Sequence, residues 1–237
     1  MKVYSGIVAF GLLGGCLLGC GGSSTGQLPD PNYRFVNLCT DANLDMLVDD
    51  DIEFTNIAFL DTTTIFKSKE SKLREYAIQE NGSTVIIDSQ SQTMSDNTDN
   101  LIIAFGLNNF STENEKRLRF LFQPVNRTVP NGSKARVYGI NTFCRDFGSQ
   151  NFAVIFKNPG TISTINFNPV NFGEVTVQEI DAGPTTLVAQ RQNTDTEVAT
   201  VTKTFEAGKI YVMALTGTES GTGANAPAIN FIEVTTR

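Results

Sequence analysis

The sequence predicts an all-β protein: two tandem immunoglobulin-like β-sandwich domains behind a cleaved lipoprotein signal peptide. Three observations carry that expectation. Short segments rich in β-branched and aromatic residues alternate with clusters of Asn, Asp, Gly and Ser along most of the chain. The order of these segments is met twice. The first twenty residues differ from everything that follows, being apolar with a single charge, Lys2, before Asp30.

The beginning of the chain sets the expected location. Residues 3–19, VYSGIVAFGLLGGCLLG, are too few and carry too many glycines for a membrane-spanning helix, and no Lys or Arg follows until Arg34. A basic residue, a short apolar run and a small-residue zone fit an export signal instead. Leu17-Leu18-Gly19-Cys20 resembles the bacterial lipobox, in which the cysteine is lipidated on its thiol and becomes the new N-terminus; Leu13-Gly14-Gly15-Cys16 is a poorer match. Cys20 is therefore the expected lipidation site. Residues 20–32 have the composition of a flexible tether, with a reach of about 20 Å as a random coil. Gly21 after the cysteine resembles the pattern of lipoproteins sent to the outer membrane. The expected partner is thus a membrane, through the N-terminal anchor.

Composition narrows the remaining 218 residues. They carry 17 Lys plus Arg against 25 Asp plus Glu, a balance that disfavours nucleic acid and anionic lipid as partners. There is no His, which removes Ser-His-Asp and Cys-His catalysis and the commonest zinc and copper sites. The 17 Phe, with many Thr, Val, Ile and Asn, favour strands joined by turns.

In the first half the expected strands are RFVN (34–37), LDMLV (44–48), STVIID (83–88), LIIAFG (101–106) and LRFLF (118–122). LRFLF alternates, with Leu118, Phe120 and Phe122 on one face, whereas LIIAFG is apolar throughout, as a central strand covered on one side and flanked on the other would be. Residues 67–80 allow a weak helical stripe through Leu73, Tyr76 and Ala77, and read as strand or loop with one helical turn at most. The second half repeats the order with RVYGIN (136–141), FAVIF (152–156), GEVTVQEI (173–180), KIYVMALTG (209–217) and INFIEV (229–234). Asn37 is matched with Asn141, Gly82 with Gly173, Ala104 with Ala214 and Phe120 with Phe231. The material between the strands at 175 and 210 reads as an addition to the second copy. Residues 33–125 and 135–237 are accordingly the two expected domains, and 126–134, rich in Pro, Asn and Gly, is their linker.

The openings YRFVNLCTDANLDMLVDD and ARVYGIN, the hairpins ENGSTVIID and NFGEVTVQ, and the stretch FEAGKIYVMALTG resemble the bacterial family catalogued as domain of unknown function 4397, in two copies. Cys39-Thr40 stands where that family usually has Ser-Pro after the first strand. The resemblance implies a secreted or surface β-sandwich protein with no assigned activity, and it carries over no catalytic residues.

Candidate chemistry is sparse. Asp41, Asn43 and Asp45 look like half a calcium loop, but an EF-hand needs Gly at the sixth position and Glu at the twelfth, where this chain has Met46 and Ile52. No metal is expected. The basic clusters KSKESKLR (67–74) and KRLR (116–119) are either solvated loops or contacts for an anionic sugar or lipid. Asp146-Phe147-Gly148 lacks the other kinase motifs, and GTGAN (221–225) lacks a third glycine and a following helix. Cys39 and Cys144 survive signal cleavage and, in an oxidising compartment, are free to pair; the alternative is two separate buried thiols.

The expected function is a lipid-anchored, non-enzymatic binding, adhesion or spacer module of the cell envelope, without catalytic residues or cofactors and with a protein or glycan as candidate partner. The alternatives are an accessory subunit of an envelope assembly and a glycan-acting enzyme relying on a pair of carboxylates.

Overall fold

A computed structural model describes residues 28–63, 66–108, 116–146, 148–159, 165–194 and 196–237. The chain is all-β. The strands of the first half are β1 (Asn32–Asn37), β2 (Leu44–Val48), β3 (Asp51–Ile57), β4 (Lys67–Ser68), β5 (Leu73–Glu80), β6 (Ile86–Thr93), β7 (Asp99–Phe105) and β8 (Arg119–Val125). Those of the second half are β9 (Lys134–Asn141), β10 (Val154–Lys157), β11 (Val175–Asp181), β12 (Gly183–Arg191), β13 (Glu197–Phe205), β14 (Ile210–Thr216) and β15 (Ala228–Val234).

Each half forms two sheets. In the first, β4-β1-β7-β8 faces β3-β2-β5-β6; in the second, β11-β9-β14-β15 faces β10-β12-β13. The opening strand of each half pairs in parallel with its penultimate strand, β1 with β7 and β9 with β14. The pleat sends alternate side chains to opposite faces, so each of these strands serves two layers.

That alternation decides the architecture. From β7, Ile102 and Ala104 point into the first sandwich, beside Tyr33, Phe35, Leu44, Met46, Tyr76 and Ile78. Its other face, Leu101, Ile103 and Phe105, meets Ile210, Val212 and Ala214 of β14 and Ile140 of β9 in a separate apolar cluster. The second face of β14, Tyr211, Met213 and Leu215, enters the core of the second sandwich with Val137, Phe156, Leu187 and Phe205. The two sandwiches therefore pack inner sheet against inner sheet, and four sheet layers enclose three apolar cores. Every residue of β7 and of β14 is buried, which is why Leu101–Phe105 and Ile210–Leu215 read as apolar runs.

Gly173 serves the contact between sandwiches. A Cβ there would meet the Phe105 ring at 2.6 Å, and its φ of +75° suits glycine besides. Phe105 also stands edge-on to Phe172, with ring centroids 5.5 Å apart. The ends of the interface are polar. Lys116, 1% exposed, donates to the Asp146 carbonyl at 2.6 Å, and Asp99 accepts from Arg127 and Arg237.

Several sequence expectations need correction. Asn37 pairs with Ala104, whereas Asn141 pairs with Leu215, so the counterpart of Ala104 is Leu215 and not Ala214. A slip of one residue reverses the face, and Ala214 indeed lies in the contact between sandwiches while Ala104 lies inside the first. Gly82 and Gly173 are not counterparts either. Gly82 turns the β5–β6 hairpin of an outer sheet, with open space around it, whereas Gly173 precedes β11 of an inner sheet. Nor is the material between 183 and 205 an addition: it is the β12–β13 hairpin, the second half's equivalent of β5–β6. Residues 67–80 form β4 and β5 with no helical turn, because Tyr76 and Ile78 alternate into the core. LRFLF keeps the predicted face, with Leu118 and Phe120 in the first core and Phe122 packed against it.

Candidate functional site

Asn37 and Asn141 organise one end of each sandwich. Asn37 is fully buried, and its amide donates to the Ala42 and Ile57 carbonyls, both at 2.9 Å, while its Oδ1 accepts from the Cys39 N–H at 2.8 Å. A buried amide satisfied in this way fastens the β1–β2 loop to the end of β3. Asn141 does the same with the Phe152 and Val170 carbonyls and the Phe143 N–H.

In the first sandwich this end opens into a cavity of about 460 Å³. It is lined by Thr40, Asp41, Ala42 and Asn43 of the β1–β2 loop, Phe59 after β3, and Glu80 and Asn81 of the β5–β6 turn. Further ties fix its walls. The Asn108 N–H donates to Asp41 Oδ1 at 2.9 Å and its side-chain amide to Glu80 Oε2 at 3.0 Å. The Asn81 N–H donates to the Asn43 carbonyl at 2.9 Å. Leu60, next to Phe59, has a φ of +64°, and its N–H is held by the Asn37 carbonyl at 2.9 Å. A non-glycine residue in that region is uncommon, and the surrounding bonds hold it there.

Beneath the cavity, Asp45 is 3% exposed and joins β2, β3 and the β5–β6 turn. It accepts from Thr55 Oγ1 at 3.0 Å, the Asn56 N–H at 2.8 Å, Asn81 Nδ2 at 2.9 Å and Gln79 Nε2 at 3.4 Å. Burial pushes its carboxyl up, but these hydrogen bonds outweigh it and hold the group below the ordinary carboxylate value. The carboxylate that looked like part of a calcium loop is thus a structural acceptor. Among the described residues no group of three or more His, Cys, Asp or Glu could hold a metal ion.

The remaining candidates take their places as follows. Cys20, like Cys16, lies outside the described residues. Cys39 and Cys144 are free, buried thiols with no bond between them. Cys39 Sγ donates to Asp41 Oδ1 at 2.9 Å; burial first, then the Asp41 charge, push that thiol far up. Burial pushes Cys144 up to about 12. Neither is an activated nucleophile. The basic clusters are largely engaged within the protein. Lys67 and Lys69 converge on Glu53, each at 2.7 Å, Arg74 pairs with Asp49, and Arg119 stacks over Phe105 and Phe172. Asp146 accepts from the Ser220 N–H and hydroxyl. Among the described residues no helix is long and apolar enough to cross a membrane.

Two other hollows, of about 480 and 560 Å³, lie elsewhere on the surface. One, beside β11 and β12, is walled by the paired Lys134 and Asp181 together with Asn158, Pro159 and Ile165. The other opens where β8 meets β11 and is floored by Pro124, Val125, Tyr138 and Val177, with its arginines already on Asp99.

No protein-family model and no curated protein matches this chain. A crystal structure from Bacteroides ovatus ATCC 8483, provisionally described as that of a cell adhesion protein, aligns over 88% of this chain and 96% of its own. The identity is 10% and the TM-score 0.20, a likeness that carries no functional argument.

Proposed function

We propose that the protein is a lipid-anchored, non-enzymatic binding module of the cell envelope, held at the outer membrane through Cys20 and using the loop end of the first sandwich to engage its ligand. The carrying observation is the cavity bounded by three loops that Asn37, Asn81 and Asn108 fasten together. A site whose walls are fixed before the ligand arrives loses little ordering entropy on binding. Supporting the non-enzymatic reading, both described thiols are raised by burial, and the Asp41 oxygen nearest Cys39 is occupied by that thiol and the Asn108 N–H. The anchor rests on the Leu17-Leu18-Gly19-Cys20 signal.

Expression of the full chain in a Gram-negative host with an alkyne-tagged palmitate tests the anchor. The label should enter the protein, follow the outer-membrane fraction, and vanish in Cys20→Ala. An unlabelled, freely soluble wild type would refute it. Asp41 and Glu80 both contact Asn108, so the purified protein should also be incubated with tetrasaccharides. Release of new reducing ends would make the protein a hydrolase and overturn the non-enzymatic reading.

A further inference from the structure

We propose that the cavity of the first sandwich binds a neutral oligosaccharide, receiving its hydroxyls on Asn43, Glu80 and Asn81 and one face of a sugar ring on Phe59. This inference rests on reading the chain as a binding module and names its ligand class. Asn43 Nδ2 is committed to Asn56 Oδ1 at 3.0 Å, and Asn81 Nδ2 to Asp45 Oδ1 at 2.9 Å. With both amide nitrogens turned to protein acceptors, each side chain keeps its carbonyl oxygen for a ligand. Glu80 is exposed, and one of its carboxylate oxygens is taken by Asn108. The polar lining therefore has a surplus of acceptors, and a sugar presents a surplus of hydroxyl donors.

The aromatic wall supports the same ligand. The other phenylalanines among the described residues lie in a core cluster, pack against one, or make a ring or cation contact. Phe59 does none of these; it is half-buried and lines a polar cavity. A flat apolar ring beside fixed acceptors suits a molecule with one apolar face and a polar edge.

Charge and the second sandwich sharpen the assignment. Asp41 and Glu80, on a chain of net charge −7, disfavour uronates, sialates and phosphates. At the matching end of the second sandwich, the residue whose carbonyl Asn141 holds is Phe152 where Asn37 holds Ala42. The Phe152 ring lies 5.6 Å from that of Phe143 and sits under Arg191. A bulky, capped side chain occupies the second end, whereas a methyl group leaves the first end open. The volume lies within the range of about 300–1,000 Å³ seen for small-ligand sites.

Titration calorimetry and saturation-transfer NMR on the full chain, with maltotetraose, cellotetraose, laminaritetraose and mannotetraose as probes and trigalacturonate as the anionic control, test this. At least one neutral tetrasaccharide should bind at millimolar Kd or tighter, and trigalacturonate should not. Phe59→Ala should weaken binding by about tenfold and the milder Glu80→Gln by about fivefold, since an exposed, isosteric change leaves the fold intact. No transfer to any neutral probe, equal binding of trigalacturonate, or affinity unchanged in both variants would overturn the proposal. The palmitate experiment reads out separately: a labelled, outer-membrane protein that ignores all four sugars removes this ligand class and leaves the anchored module standing.

Discussion

Asn37 and Asn141 occupy the same place in the two sandwiches, each fully buried and each spending one amide group on two carbonyls and one N–H beyond its own strand. They stand 104 residues apart, as the sequence match has them.

Replacing either residue by Ala should be severe. Each change leaves one buried carbonyl, one half-buried carbonyl and a buried N–H without their partner, which costs about 2–4 kcal/mol per site. Chemical denaturation would show the loss as a lowered midpoint at unchanged slope. Asn37→Ala should in addition abolish oligosaccharide binding, because it releases two walls of the cavity, while Asn141→Ala should leave binding intact. Equal effects of the two on binding would contradict the placement of the site.

Asp45 should give the protein an acid-sensitive element. Its carboxyl sits below the ordinary value in the folded state, so the unfolded chain takes up the proton first as pH falls. The stabilisation is complete above the unfolded carboxylate value of about 3.9 and is lost as pH falls from there through the lower folded value. Asp45→Asn should cost about 1–3 kcal/mol at neutral pH, since an amide hydrogen must then confront one of the four donors. It should also flatten the part of the acid limb below about pH 4 that Asp45 supplies. Glu53, lowered by Lys67 and Lys69 against the effect of its burial, would retain its own share. A melting-temperature series from pH 2 to 7 on both proteins checks this; parallel curves would contradict it.

The two thiols should be inert until the protein unfolds. Burial disfavours the thiolate at both Cys39 and Cys144, and the thiolate is the reactive form. A chromogenic disulfide reagent should react slowly with the native chain, and denaturation without reductant should release two equivalents from Cys39 and Cys144. Zero equivalents would mean that the cysteines are bridged after export.

Much of the fold was legible because alternation and strand composition are local. The face of LRFLF and the apolar run of Leu101–Phe105 follow from residues a few positions apart, and the Asn37–Asn141 match follows from a local strand pattern that is met twice. What failed was long-range. An offset wrong by one put Ala104 opposite Ala214, and the pleat converts that small error into opposite layers. Gly82 and Gly173 share a residue type and a positive φ, yet only Gly173 lies against a ring from the other half. The candidate site was half legible. Asp41, Asn43 and Asp45 drew attention as oxygen donors, and their neighbourhood does line the cavity or support it. Phe59, Glu80 and Asn81 went unnoticed, since it is long-range hydrogen bonds such as those of Asn37, Asn81 and Asn108 that bring three separate loops together. The one available signal was NG at 81–82, which marks a hairpin turn without saying what the turn faces.

The fusion of the sandwiches through Leu101, Ile103, Ile140, Val212 and their neighbours is the claim on which the rigid presentation of the site depends. Differential scanning calorimetry of the full chain tests it most directly, with Ile103→Ala as the perturbation, a buried truncation expected to cost about 2–5 kcal/mol. The prediction is one transition in which calorimetric and van't Hoff enthalpies agree, shifted down as a whole by the substitution. Two resolved transitions, only one of them moved by Ile103→Ala, would show that the sandwiches unfold independently and would contradict the account.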